Sequence, residues 1–192
     1  FLGESLAADG YTVLVPRLSA HATHPTDITR ARWRDWLASV EDGLNLLKGS
    51  TQRQVVMGLS MGGILSLITA ARYNVAGAVS FSTPCDLPAA PWQKALLPLL
   101  GLLDLHVGKG KPDWRDTQVM KDHIDYPYYS TLAVMELNKL IQVMRAELSS
   151  IHIPLLFVQS RGEYSISPNS MDYLYDHVSS TEKSKLWVEN SG

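Results

Sequence analysis

The chain has 192 residues, of which 45% are apolar and 19% charged, with a formal net charge of -2 and a pI near 6.3. That is enough for one domain with a sizeable core and too short for two full domains. The charge balance offers no basic patch, so no nucleic-acid partner is expected. Cys85, the sole cysteine, excludes an intrachain disulfide and any multi-cysteine metal site. The longest apolar stretch, 95–103, is broken by Pro98 and Gly101. It falls far short of the roughly 20 residues that cross a bilayer, so no integral membrane segment is expected in this chain.

In chain order, the sequence opens at Phe1 inside a helical pattern, with Leu2 and Leu6 on one face and Gly10 where a helix C-terminus favours a left-handed residue. Residues 11–16 form a short β-rich run that fits a strand buried on both faces. Trp33, Trp36, Leu37, Val40, Leu44 and Leu47 then recur at spacings of three and four, one helical stripe. Residues 54–58 read as a strand, 61–73 as an apolar helix, and 75–81, 154–159 and 185–188 as three more strands. Strands alternating with helices predict an α/β fold, a mainly parallel sheet covered on both faces. Between about 87 and 150 the alternation breaks into two helical patterns, 92–105 and 132–148, joined by a Pro/Gly/Lys-rich link. This interval reads as a helical cap insertion on a core made of 1–86 and 151–192, its Leu-rich inner face suited to an apolar ligand. The alternative is a helical pair that completes the core.

The motif that carries chemistry is Gly58-Leu59-Ser60-Met61-Gly62, a match to G-x-S-x-G. By chance it should occur in roughly one chain of this length in twenty, so its placement matters more than its presence. It lies where a buried strand meets a helix, a junction at which the serine must take a strained turn that lifts its hydroxyl above the carboxyl edge of the sheet. Gly58 and Gly62 are expected to be glycine because a Cβ at either would collide where the two backbones meet. The Met61 N–H, at the positive end of the following helix, is the candidate oxyanion donor.

With these residues in place the chain resembles the α/β-hydrolase superfamily, and within it the bacterial carboxylesterase and monoacylglycerol-lipase-like group. The resemblance spans nearly the whole chain: Gly10-Tyr11 before the first strand, Ala20-His21-Ala22 where relatives often read Gly-His-Gly, the Trp-bearing helix, Gly-Leu-Ser-Met-Gly-Gly at 58–63, the cap, and Ile153-Pro154-Leu155-Leu156. It implies a Ser-His-acid triad with Ser60 as nucleophile. The acid follows the 154–159 strand, a few residues before Pro168, which makes Glu163 the matching position; relatives usually have Asp there. Asp86, after the 75–81 strand, is the other placement the superfamily uses. The base is expected just after Gly192, and none of the six histidines in the chain stands after the last strand. The resemblance thus implies a fragment, inactive by itself, that lacks its N-terminal strands, the second oxyanion donor upstream of Phe1, and the C-terminal histidine and helix. One missing strand would lie between 11–16 and 54–58, so those two segments should not be direct neighbours.

The implied activity is hydrolysis of small-molecule carboxylic esters with an apolar acyl group, through an acyl-enzyme and without a cofactor. Thioesterase, acyltransferase and C–C hydrolase chemistry, or a non-catalytic binding module, are the alternatives on the same fold. A cytoplasmic location is expected, and any signal peptide would precede Phe1. Three weaker signals carry no site. Gly108-Lys109-Gly110-Lys111 lacks the glycine and the Ser/Thr of a phosphate loop, since Leu105 and Pro112 stand there. His21 and His24 lack metal-ligand spacing. Cys85 reads as a small buried hydrophobe or a pocket liner.

Overall fold

In the computed structural model, residues 2–89, 103–108, 126–163 and 165–189 are described, together with Trp92, Ala95, Leu96 and Leu99. Of the 92–105 pattern, those four residues are helical; its remainder up to 102, the 109–125 link with His123, and the last three residues lie outside the described set.

Four parallel strands form the sheet: β1 (Val55–Leu59), β2 (Gly77–Phe81), β5 (Leu155–Ser160) and β6 (Lys183–Val188), in the order β1-β2-β5-β6. Leu59 lies opposite Phe81, Phe81 opposite Val158, and Ser160 opposite Val188. All four carboxyl ends therefore point to one edge. The central strands β2 and β5 are largely buried, as parallel strands covered by helices are, whereas the outer strands β1 and β6 are partly exposed.

Around the sheet stand α1 (Leu2–Ala8), α2 (Trp33–Lys48), α3 (Met61–Arg72), α4 (Thr131–Glu147) and α5 (Asn169–His177). The helix α3 is buried over every residue from Gly63 to Ala70, the mark of a helix enclosed on all sides. It packs on β1 and β2 and against α2 and α4. Leu140, Ile141 and Met144 of α4 are 0%, 0% and 1% exposed and belong to the same core as Ile64, Leu67 and Ile68. The second half of the 87–150 interval is thus anchored in the domain. Its described first half divides: Leu87 belongs to that core, whereas Trp92, Leu96, Leu99 and Leu103 are all exposed. A short antiparallel ribbon, β3 (His106–Gly108) with β4 (Tyr128–Ser130), joins the two halves.

One expected strand is corrected. Residues 11–16 carry a strand's sequence but form no ladder, because a strand needs a partner edge and none adjoins it. The spacing expectation does hold. Within the described residues Val55–Leu59 pairs only with β2, and a cavity of about 750 Å³ separates the 11–16 segment from β1. Its walls include Val13, Val15, Val55, Met57, Leu44 and Leu65. Val55 and Met57, both on its wall, are 53% and 36% exposed. Among the described residues the other edge of β1 therefore faces an apolar gap with no ladder partner.

Candidate active site

The strand-to-helix junction after β1 has the strain the motif requires. Ser60 has φ 53° and ψ -115°, a left-handed backbone that costs an L-residue roughly 1–2 kcal/mol. Three contacts impose it. The Ser60 N–H donates to the Phe81 carbonyl at 2.9 Å, and the Ser60 carbonyl accepts from Gly63 and Ile64 at 3.0 and 3.2 Å. The side chain is left exposed at the carboxyl edge, and its hydroxyl makes no hydrogen bond among the described residues.

The glycines divide differently from the expectation. A Cβ on Gly58 would sit 2.3 Å from the backbone carbon and oxygen of Gly62, so Gly58 is sterically required. A Cβ on Gly62 would meet nothing within 4 Å. The expected collision at Gly62 is therefore corrected, for the physical reason that its Cα faces the open cavity. The pinched residue is Gly63, where a Cβ would stand 1.8 Å from Thr83 Oγ1 and 3.0 Å from the Gly58 carbonyl. Thr83, buried, accepts from Ser80 Oγ at 2.6 Å and donates to the Phe81 carbonyl at 3.2 Å, the oxygen that also holds Ser60. Sequence reasoning gave Thr83 and Gly63 no role. Only the second glycine of Gly62-Gly63 hinted at a close approach.

Met61 is the first residue of α3, so its N–H has no partner within the helix and adjoins the Ser60 side chain. Both acid candidates stand beyond carboxyl ends of the sheet. Glu163 lies three residues after β5, half-buried, with Oε1 accepting from the Ser165 N–H at 2.8 Å. Asp86 follows β2, is exposed, and caps the Leu87 N–H at 2.8 Å. Since β5 is two strands from β1, Glu163 is offset from Ser60 by roughly 9–10 Å across the sheet, a span that admits an imidazole; Asp86 is offset by about half of that. Gln159, also missed by the sequence reading, is buried beneath the Glu163 loop, where Nε2 reaches the Ile166 and Ser167 carbonyls at 3.3 Å each.

No described histidine bonds to Ser60. His21 Nδ1 lies 3.1 Å from the Ser19 carbonyl, and His24 caps the 3-10 turn Pro25–Thr29 through Thr26. His106 stacks on Tyr128 and His177 on Tyr173, while His152 is exposed just before β5. Among the described residues no three His, Cys, Asp or Glu side chains converge to hold a metal ion, and no helix is long and apolar enough to cross a membrane.

The family model described as serine aminopeptidase, S33, matches residues 2–191. The chain is 34% identical over 191 residues to a thermostable monoacylglycerol lipase of Bacillus sp. (strain H-257), covering 99% of this chain and 74% of that protein. It is 26% identical over 194 residues to a carboxylesterase of Bacillus subtilis (strain 168), covering 100% and 76%. Among solved structures, one from the metagenome-derived lipolytic enzymes LipS and LipT superposes with a TM-score of 0.89 at 28% identity, covering 99% of this chain and 77% of that one.

Proposed function

Since the chain belongs to the serine aminopeptidase, S33, family, with the α/β-hydrolase fold, we propose that Ser60 is its nucleophile in the hydrolysis of carboxylic esters. The observation that carries this reading is the left-handed Ser60, exposed at the helix N-terminus and held there by the Phe81 carbonyl. Ser60 Oγ attacks the ester carbonyl and its proton passes to an imidazole. The oxyanion forms beside the Met61 N–H, where the positive end of α3 favours negative charge. Collapse expels the alcohol, which takes the proton from the imidazole, and water then cleaves the acyl-enzyme by the same path. We assign the orienting carboxylate to Glu163, two strands away, with Asp86 as the alternative.

Small-molecule esters with an apolar acyl group are the proposed substrates. The relatives named as a monoacylglycerol lipase and a carboxylesterase support this, as does the exposed apolar set Trp92, Leu96, Leu99 and Leu103 in the 87–150 interval. We read that interval as the cap over the site. The family description also raises amide cleavage, and aminoacyl p-nitroanilides test it directly.

In the full-length protein, a fluorophosphonate should label Ser60 and p-nitrophenyl esters of short or medium acyl length should be turned over. Ser60→Ala should abolish both signals. Persistent labelling in that variant would place the nucleophile elsewhere, and a folded wild type with neither signal would make the protein a binding module.

A further inference from the structure

We propose that Tyr126 is a positioning residue that sets the aperture of the ester site, by tying the exit leg of the 87–150 insertion to a strained turn around His21. The inference rests on the reading of the Ser60 edge as the active site.

The turn is strained on both sides of His21. Ala20 has φ 61° and Ala22 φ 52°, two left-handed L-residues in three, each costing roughly 1–2 kcal/mol. Such a conformation persists only where its surroundings over-determine it. Tyr126 supplies part of that constraint from more than a hundred residues away. Its hydroxyl donates to the Ala20 carbonyl at 2.9 Å and accepts from the Thr23 N–H at 3.1 Å. One side chain thus closes the turn across its mouth.

Topology puts the turn at the nucleophile's edge of the sheet. The helix α2 ends at Lys48, shortly before β1 begins at Val55, so its C-terminus lies at the amino edge. Its sixteen residues span about 24 Å, more than the roughly 17 Å of a five-residue strand, and its side chains from Val40 to Leu47 line the same cavity as β1. Its first turn therefore reaches the carboxyl edge, where Ser60 is. His21 packs edge-on against Trp36 in that turn, with ring centroids 6.1 Å apart.

Beyond Tyr126 the chain enters the β3–β4 ribbon. The ribbon's far end is held to α4: Ser130 Oγ donates to Asp104 Oδ1 at 2.7 Å, and the Leu105 N–H donates to Thr131 Oγ1 at 2.9 Å. Tyr126 is thus the near-end tie of a strap fixed at both ends. On the strap Val107 and Tyr129 pair across the ladder, both exposed, and form an apolar surface on which an acyl chain can lie. The fastening of α4 itself does not depend on Tyr126. Buried Glu136 accepts from the Trp33 N–H at 3.1 Å and from Lys139 Nζ at 2.6 Å. Loss of the Tyr126 hydroxyl therefore loosens the near end of the strap without detaching the helix.

The test uses the full-length protein and Tyr126→Phe, which keeps the ring and removes the hydroxyl. Three quantities are measured: fluorophosphonate labelling of Ser60, KM and kcat for p-nitrophenyl acetate against p-nitrophenyl decanoate, and amide exchange of Thr23. Loss of these bonds should raise the decanoate-to-acetate KM ratio by roughly fivefold, the scale of one net hydrogen bond. Labelling should stay intact and Thr23 exchange should accelerate. Accelerated exchange with an unchanged KM ratio would overturn the proposal, and so would an equal loss for both esters together with lost labelling, which would mark a purely structural contact. Unchanged Thr23 exchange would overturn it as well. Absence of labelling and turnover in the wild type would sink the ester-site reading itself, a distinct outcome.

Discussion

Two of the turns that hold L-residues in left-handed backbone, the one at Ser60 and the one around His21, are held by different means. At Ser60 close packing backs the hydrogen bonds: Gly58 stands against Gly62 and Gly63 against Thr83, around the Phe81 carbonyl that Ser60 and Thr83 share. At Ala20 and Ala22 the constraint is a few hydrogen bonds, those of Tyr126, the Arg17 guanidinium on the His21 carbonyl at 3.1 Å, and the His21 N–H on Leu18 at 3.0 Å. Packing strain cannot relax without moving a helix against a sheet, whereas a hydrogen-bonded turn can open locally. The nucleophile turn should therefore tolerate almost no change, and the His21 turn should tolerate and even gain from some.

The largest effect is expected at Gly58. In Gly58→Ala the new methyl meets backbone atoms of Gly62 at 2.3 Å, which no rotamer change relieves. A loss of about 3 kcal/mol or more in urea unfolding is expected, together with loss of fluorophosphonate labelling. A stable, labelled Gly58→Ala protein would show that the junction is not rigid.

Gly63→Ala comes next, since the obstacle is a side chain. Overpacking of this kind costs about 1–3 kcal/mol. Thr83→Ala removes the hydroxyl 1.8 Å from the added methyl, though Thr83 Cβ stays at 3.1 Å, so the double variant should recover part of the loss. A double-mutant cycle reads this as a coupling energy of opposite sign to the single losses; strict additivity would separate the two residues. Gly62→Ala sharpens the contrast, because with nothing within 4 Å its expected change lies within about 1 kcal/mol of neutral.

At the other turn the sign reverses. In Ala22→Gly the left-handed conformation no longer carries a Cβ penalty, against which stands the greater freedom glycine has when unfolded. The balance is a stabilisation of about 0.5–1 kcal/mol, seen as a raised melting temperature. A destabilised Ala22→Gly protein would mean that the turn is not strained in solution.

The same division explains what was legible in the sequence. The four paired strands and the helices α2, α3 and α4 follow from local periodicity, and Ser60 from a local motif. What local pattern could not supply is contact between distant segments. Residues 11–16 have a strand's composition, but a ladder needs a partner edge. Which glycine is pinched depends on Thr83, twenty residues on. The periodicity of α4 predicted a helix but could not tell a cap face from Leu140, Ile141 and Met144 packing into the core. Tyr126 and Ala20, 106 positions apart, left no trace in the sequence at all. The acid stayed ambiguous between Glu163 and Asp86 because both follow strands that end on one edge.

The smallest expected effect lies just past the His21 turn, and its sign follows from charge. The Thr23 hydroxyl, then the His24 N–H at 3.2 Å, and to a lesser degree Arg30 and His24 through their charge, hold the Asp27 carboxyl below its ordinary value of 3.8. A carboxylate favoured by the fold contributes its stability above the unfolded value and loses it as pH falls through the folded one. Asp27 lies at the surface with its side chain 35% exposed, so solvent screening keeps the contribution small. The melting temperatures of wild type and Asp27→Asn should therefore differ by a constant amount above about pH 5 and converge as pH drops below the ordinary value. Convergence on raising the pH instead would mean that Asp27 is held by its protonated form. A pH-independent gap would show that the amide replaces the carboxylate's geometry and that charge plays no part in fixing the end of the turn.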